Sequence, residues 1–237
     1  MSLEFTGPAE LRTRGTVLVV PGRGETPETY TRLGRRLAAD SYQVRVLSAP
    51  SDVDDLRQAV EAVVEPDAVR PVVLIGADLG AALVAALAAD ADLSVDGVVL
   101  AGLPGYADHQ LDGWDDELNA RTHCPVHRSV LSEGVLREGA AERGALAEPV
   151  PTGVLDSAYH GSSELPTLVL AGDADPFTDL PSLRGLAKVR PAARLAVVRG
   201  GHHDVLNDLQ HRSVAAEIVR FLEELRAGGP IVVPDTL

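Results

Sequence analysis

Residues 71–89 read PVVLIGADLGAALVAALAA, and this stretch decides the fold. Pro71 to Ile75 is a continuous apolar, β-prone run, the pattern of a strand buried on both faces. From Asp78 to Ala89 the chain turns to Ala and Leu, a helix whose small side chains let it pack closely. Between them, Gly76-Ala77-Asp78-Leu79-Gly80 forms a strand–turn–helix junction. A turn this tight needs small flanking residues and lifts its central side chain above the sheet, as a nucleophile elbow does. Taken alone, the pentapeptide reads first as a helix-capping aspartate between two packing glycines, because a carboxylate is favoured at a helix N-terminus.

Outward from this stretch the same alternation repeats. Thr16 to Val20 is a strand ending at Pro21-Gly22, and Thr26 caps a helix that begins at Pro27 and runs to about Ala39. Tyr42 to Leu47, Gly97 to Ala101, Thr167 to Ala171 and Arg194 to Val198 are further strands. Helices are expected over Asp52 to Val64, Leu180 to Val189 and Gln210 to Arg226. The last carries Val214, Ile218, Phe221, Leu222 and Leu225 on one face. This order predicts an α/β fold with a mostly parallel sheet covered on both sides. The rhythm breaks over residues 103–164, where short helices are expected at Trp114 to Ala120 and Ser129 to Arg137. A connection of that length is usually functional or has structure of its own. The expectation is one domain over 1–237, with a core of 1–102 and 165–237 and a helical cap over 103–164.

Composition narrows the partners. The 237 residues are 45% hydrophobic and carry a net charge of −14. Half of that charge, −7, falls on residues 103–164. A surface this acidic repels phosphate backbones and anionic lipid, so neither nucleic acid nor membrane is expected as a partner. Its concentration on the cap favours neutral or cationic ligands. A single cysteine, Cys124, excludes an intrachain disulfide framework and a Cys-rich zinc module. No stretch reaches the roughly 18 apolar residues of a membrane helix, and residues 1–15 carry no apolar targeting core, so a cytoplasmic protein is expected.

Three further stations join Asp78. Gly172-Asp173-Ala174-Asp175-Pro176 follows one strand, where an orienting acid would sit, and Gly200-Gly201-His202-His203-Asp204 follows the last, where a general base would sit. The first βα turn, Pro21-Gly22-Arg23-Gly24, offers an N–H at Arg23 that would converge with that of Leu79 on an oxyanion. With these in that chain order the sequence resembles the α/β-hydrolase superfamily over nearly its whole length. The resemblance implies Asp78 as nucleophile, Asp175 as acid and His203 as base, with Asp173 second to Asp175. His203 is preferred to His202 because the acidic-apolar run Asp204 to Asp208 follows it directly. The sequence departs from the family pattern in its Asp apex and in Pro21, where His usually precedes Gly.

The Asp apex changes the chemistry. A carboxylate that attacks an acyl carbon gives an anhydride, whereas at a saturated carbon it gives an ester that His-activated water can cleave. The latter is the logic of epoxide hydrolases and haloalkane dehalogenases, and Tyr106 or Tyr159 would then polarise an epoxide oxygen. Those relatives usually carry Trp after the nucleophile or a His-Gly-x-Pro turn, where this chain has Leu79 and Pro21-Gly22-Arg23-Gly24. Residues 22–40, 121–128 and 203–222 resemble an actinobacterial group of atypical α/β-hydrolase-fold proteins that includes the peptide aspartate epimerase of the bottromycin pathway. That resemblance implies epimerisation of an aspartyl residue beside a heterocycle, with the substrate's own carboxylate moving the proton. Gly22, Arg23, Leu79, Tyr106 and Trp114 would then line a site for a modified peptide or a hydrophobic small molecule. The epimerase is the leading reading, the Asp78 hydrolase the alternative, and a non-catalytic binding protein the third.

Other clusters read more plainly. His123-Cys124-Pro125-Val126-His127 is read as cap packing and hydrogen bonding, because Pro125 disrupts the helical spacing that would align two ligands. Gly22-Arg23-Gly24 lacks the third glycine and the lysine of a phosphate loop. Asp208 is read as a turn residue and His211 as a cap for the final helix, while Trp114 reads as packing within the insertion before substrate stacking. No cofactor and no metal are expected.

Overall fold

The computed structural model describes residues 2–64, 68–89, 93–135 and 144–232. In chain order the strands are β1 (Leu3–Phe5), β2 (Gly15–Val20), β3 (Tyr42–Val46), β4 (Val72–Ala77), β5 (Gly97–Ala101), β6 (Thr167–Gly172) and β7 (Ala193–Val198). They form a seven-stranded sheet in the order β1-β3-β2-β4-β5-β6-β7. All neighbours pair in parallel except β1, which runs antiparallel to β3. The helices are α1 (Thr31–Ala39), α2 (Val53–Glu61), α3 (Leu79–Leu87), α4 (Trp114–Arg121), α5 (Pro125–Val135), α6 (Thr152–His160), α7 (Leu180–Gly185) and α8 (His211–Ala227).

Alternation along the strands divides the core in two. Leu18, Val20, Leu74 and Leu100 face α2, α3 and α6, whereas Val17, Val19, Ile75 and Val99 face α1 and α8. Strands buried on both faces explain why residues 72–77 and 167–172 read as unbroken apolar runs. The face expected for the last helix is the one used: Val214, Ile218, Phe221 and Leu222 are all buried.

Several elements differ from expectation. The chain after Thr26 makes a 3₁₀ turn over Pro27–Tyr30 before α1 begins, and Thr26 N–H donates to Thr29 Oγ1 at 3.3 Å. The helix expected over 180–189 is α7 followed by a 3₁₀ turn at Leu186–Lys188. α5 begins four residues before the expected Ser129, because Pro125 is well suited to a first helical turn; the expected end at Arg137 lies outside the described residues. β1 and α6 were not anticipated. α6 packs Leu155, Ala158 and Tyr159 into the core against α3, so this part of the 103–164 segment covers the sheet rather than its edge. Among the described residues, no helix is long and apolar enough to cross a membrane.

Candidate active site

The site stands where β4, β6 and β7 end. Between β4 and α3, Asp78 adopts φ 49° and ψ −121°, a conformation that a non-glycine residue occupies only under constraint. The constraint is close packing. A Cβ on Gly76 would lie 2.4 Å from Gly80 O, and one on Gly80 would lie 2.5 Å from Pro21 O. Gly22 is held for the same reason: its Cβ would stand 2.7 Å from that of Asp78. The glycines therefore bring three chain segments against the apex aspartate.

His203 Nε2 lies 3.1 Å from Asp78 Oδ1, and its Nδ1 lies 3.0 Å from Asp175 Oδ2. Asp175 is oriented in turn by the Phe177 N–H at 2.8 Å and the Thr178 hydroxyl at 2.6 Å. All three residues are buried. Burial alone would lower the His203 pKa, but the carboxylates of Asp175 and Asp78 on its two sides outweigh that and raise it to about 10. Burial would likewise raise Asp78, yet Arg23 and His203 hold it well below the usual carboxylate range. At neutral pH an ionised Asp78 thus faces a protonated His203.

Arg23 adds a fourth member. Its backbone N–H and Nε both donate to Asp78 Oδ2 at 2.8 Å, and its Nη2 donates to Oδ1 at 2.7 Å. Its Nη1 reaches the insertion, donating to Leu146 O at 3.3 Å and to Glu148 O. The expected oxyanion donor thus already holds the apex carboxylate itself. Leu79, at the first position of α3, keeps an N–H with no partner inside the helix. Beyond Arg23 lies a cavity of about 30 Å³ bordered by Arg23, Tyr106, His109, Leu146 and Phe177, among others, but by neither Asp78 nor His203. That volume suits about one water molecule, and the Arg23 side chain divides it from the acid–base row.

An elbow aspartate, a histidine after the last strand and an acid after β6, all in contact, match a known arrangement, and the sequence pattern of the alpha/beta hydrolase family matches residues 17–233. The chain belongs to the alpha/beta hydrolase family. Among solved structures it is similar to a monoacylglycerol lipase of Paleococcus ferrophilus, with 18% identity, a TM-score of 0.75, and coverage of 96% of this chain and 98% of that one. A monoglyceride lipase of Saccharomyces cerevisiae aligns at 14% identity and TM-score 0.72, covering 94% and 91%. An E-2-(acetamidomethylene)succinate hydrolase aligns at 18% identity and TM-score 0.64, covering 94% of each chain. No curated protein matches the sequence. At these identities the likenesses establish the fold alone.

Within this alpha/beta hydrolase, Asp78, His203, Asp175, Arg23, Gly22 and Leu79 come together as expected. Asp173 stands aside, its carboxylate accepting the Gly200 N–H at 2.6 Å. Tyr106 borders the cavity, but its hydroxyl donates to Asp156 Oδ1 at 2.9 Å, and that of Tyr159 donates to Pro104 O at 3.0 Å. Neither hydroxyl is free to polarise a substrate in this state. Trp114, at the start of α4, does not border the cavity. Asp208 lies in the turn before α8, as expected, its carbonyl accepting from the His211 N–H at 3.1 Å. Its carboxylate is in addition a buried anchor, accepting from Thr122 Oγ1 at 2.7 Å and from the N–H groups of His123 at 3.0 Å and His202 at 2.9 Å. One minor reading is corrected. His211 opens α8 without a side-chain cap bond.

Sequence reasoning missed two parts of the site. Phe177 lies 4.9 Å from the His203 ring and 5.9 Å from the Arg23 guanidinium, its position two residues after Asp175 being the only hint. Beneath the turn, buried Arg121 binds Glu117 at 2.9 Å, Asp204 at 3.3 Å and Arg23 O at 2.7 Å. His127 Nε2 completes that network 2.8 Å from Asp204 Oδ2. Glu25, His127 and Asp204 bring possible metal-ligating atoms within 4.8 Å of one another. Asp204 is already engaged by Arg121 and His127, and Glu25 accepts from the Gly22 N–H at 2.9 Å and from the Tyr30 hydroxyl. The Glu117–Arg121 spacing, four residues apart on one helix, was the available signal.

Proposed function

We propose that the chain hydrolyses a bond at a saturated carbon of a small apolar electrophile, an epoxide or alkyl halide, through an ester on Asp78. The observation that carries this reading is the contact of His203 Nε2 with Asp78 Oδ1 at 3.1 Å, at a buried elbow. An Asp78 oxygen attacks carbon, the carbon–halogen or carbon–oxygen bond breaks, and its electrons leave on halide or alkoxide. An alkoxide takes the His203 proton, and after halide departure that proton passes to solvent. Esterification removes the Asp78 charge, one of the two that hold His203 protonated, so the imidazole becomes a base when it is needed. It then takes a proton from water, hydroxide adds to the ester carbon, and the oxyanion forms on the oxygen facing the N–H groups of Arg23 and Leu79. Collapse expels the alkoxide, which leaves as the alcohol with the proton held by His203, and the new Asp78 carboxyl then passes its own proton to His203, restoring carboxylate and imidazolium.

Both oxygens of Asp78 are occupied by Arg23 and His203 in this structure. Attack therefore requires the Arg23 side chain to turn away and the 146–148 segment to let it go. The apolar border of the cavity, with Phe177, Leu146 and Leu155, favours a hydrophobic substrate. Repeated turnover of styrene oxide in H₂¹⁸O is expected to place label in Asp78, read by peptide mass, and His203→Ala is expected to accumulate the alkyl-enzyme. Turnover with label in the product and none in Asp78 would overturn the reading.

The same occupancy favours a second reading. A fully bonded Asp78 is an ion-pair partner rather than a nucleophile, as suits a peptide aspartate epimerase whose substrate supplies the carboxylate. A linear, heterocycle-bearing peptide would then exchange one Cα proton in D₂O, with Asp78→Ala retaining much of the rate.

A further inference from the structure

A second cavity, away from Asp78, lies between α1 and α5 and has a volume of about 630 Å³. One wall is Arg32, Arg35 and Arg36 of α1, which fall on neighbouring positions because residues three and four apart share a helix face. In a chain with 35 acidic residues against 21 Lys and Arg, three arginines in one groove are an unusual concentration. None of the three is held in an ion pair among the described residues, and Arg32 donates only to neutral acceptors, Asn207 O and Cys124 Sγ. Glu28 and Asp40 border the groove, and neither pairs with them.

Buried Asn207 fixes one end of the arginine row at the groove, its backbone carbonyl accepting from Arg32 Nη2. Two other observations point to a ligand. Val126, 62% exposed, and Val130 give the opposite wall an apolar strip. Nearby His211 is held below the ordinary histidine range by burial and by the charges of Arg32, Arg36 and Arg212, which marks the local potential as positive.

We propose that this groove binds a small phosphate monoester with an apolar tail, the phosphate on Arg32, Arg35 and Arg36 and the tail on Val126 and Val130. A phosphate is favoured over a carboxylate because three guanidinium forks can serve three acceptor oxygens and nearly two negative charges. The site is independent of the chemistry at Asp78.

The test is calorimetric titration of the whole chain with n-octyl phosphate below its micellar concentration. It should bind more tightly than inorganic phosphate or octanoate, and more weakly as salt rises. The Arg35→Gln/Arg36→Gln double variant, altered only at exposed positions, should lose at least about tenfold in affinity, about 1.4 kcal/mol. Val126→Ser, which removes apolar surface without adding charge, should weaken octyl phosphate and leave inorganic phosphate unchanged. The proposal is overturned if octyl phosphate does not bind, if the double variant binds it equally well, or if binding occurs only to phosphatidic acid vesicles.

Discussion

Arg23 spans both oxygens of Asp78, with Nε 2.8 Å from Oδ2 and Nη2 2.7 Å from Oδ1, while its remaining nitrogen is bonded to the insertion at Leu146 O. One side chain thus neutralises the apex carboxylate, covers it and ties it to the segment above. Removing that side chain should uncover Asp78. In Arg23→Ala, alkylation of Asp78 by 1,2-epoxy-3-(4-nitrophenoxy)propane should be at least about tenfold faster than in the parent chain, the effect of about 1.4 kcal/mol. Peptide mass analysis gives the rate. The stability loss should fall below the roughly 3–5 kcal/mol of an isolated buried pair, because His203 still faces Asp78. Equal labelling of the two proteins would show that Arg23 does not cover the carboxylate.

The protonation of His203 sets a pH dependence. Its folded pKa is raised to about 10, above the roughly 6.5 of an unfolded histidine. Between those values the folded chain holds a proton that the unfolded chain has released. The contribution to stability is therefore complete below about pH 6.5 and disappears as pH rises through 10. Melting temperature should fall across that window, and the His203 ring resonances should titrate near its upper end. Asp78→Asn removes one flanking charge and should bring the titration down towards neutrality. A His203 that titrates near pH 6.5 in the parent chain would remove the basis for an imidazolium in the resting site.

The chain shows why some of this was legible and some was not. Asp78, Asp175 and His203 each sit within a few residues of a strand end, so local pattern and chain order were enough to bring them together. The Arg23 clamp depends on Leu146 and Glu148, 123 and 125 residues away, and on the path of the intervening insertion. Asp208 was legible as a turn residue but not as an anchor, because its partners Thr122 and His123 are more than 80 positions distant. β1 is three residues long and carries too little pattern to read. In contrast, Leu155, Ala158 and Tyr159 have helical spacing. α6 was hidden instead by the assumption that the whole insertion forms a cap.

The elbow glycines separate steric demand from helix propensity. Gly76→Ala places a methyl group 2.4 Å from the backbone oxygen of Gly80, which cannot move without shifting α3. It should cost about 1–3 kcal/mol or prevent folding. Gly153, exposed in α6, has nothing within 4 Å of an added Cβ. Gly153→Ala should be neutral or stabilise by up to about 1 kcal/mol. Urea midpoints of the two variants check the contrast, and a Gly76→Ala protein as stable as its parent would mean that the close β4–α3 junction is wrong.

Arg121 offers a sharper test of the buried network, because its removal should make stability depend on pH in a particular direction. The side chain is 1% exposed, and its partners Glu117 and Asp204 are 0% and 8% exposed. Arg121→Met keeps much of the volume but strips two buried carboxylates of their shared cation, at a cost of about 3–5 kcal/mol near neutral pH. Those carboxylates should then titrate higher in the folded variant than in its unfolded chain. Protonation therefore relieves the folded state first, and the stability gap to the parent should narrow as pH falls from 8 towards 5. Arg121→Lys keeps the charge but has one nitrogen where the guanidinium reaches Glu117, Asp204 and Arg23 O, so it should lie between the two. Arg121 also holds the carbonyl of Arg23, so both variants should loosen the turn over Asp78 and speed its alkylation by the epoxide probe. A gap that stays constant between pH 8 and 5 would show that Arg121 acts by packing alone. Unchanged Asp78 labelling would show that the network does not position the Arg23 turn.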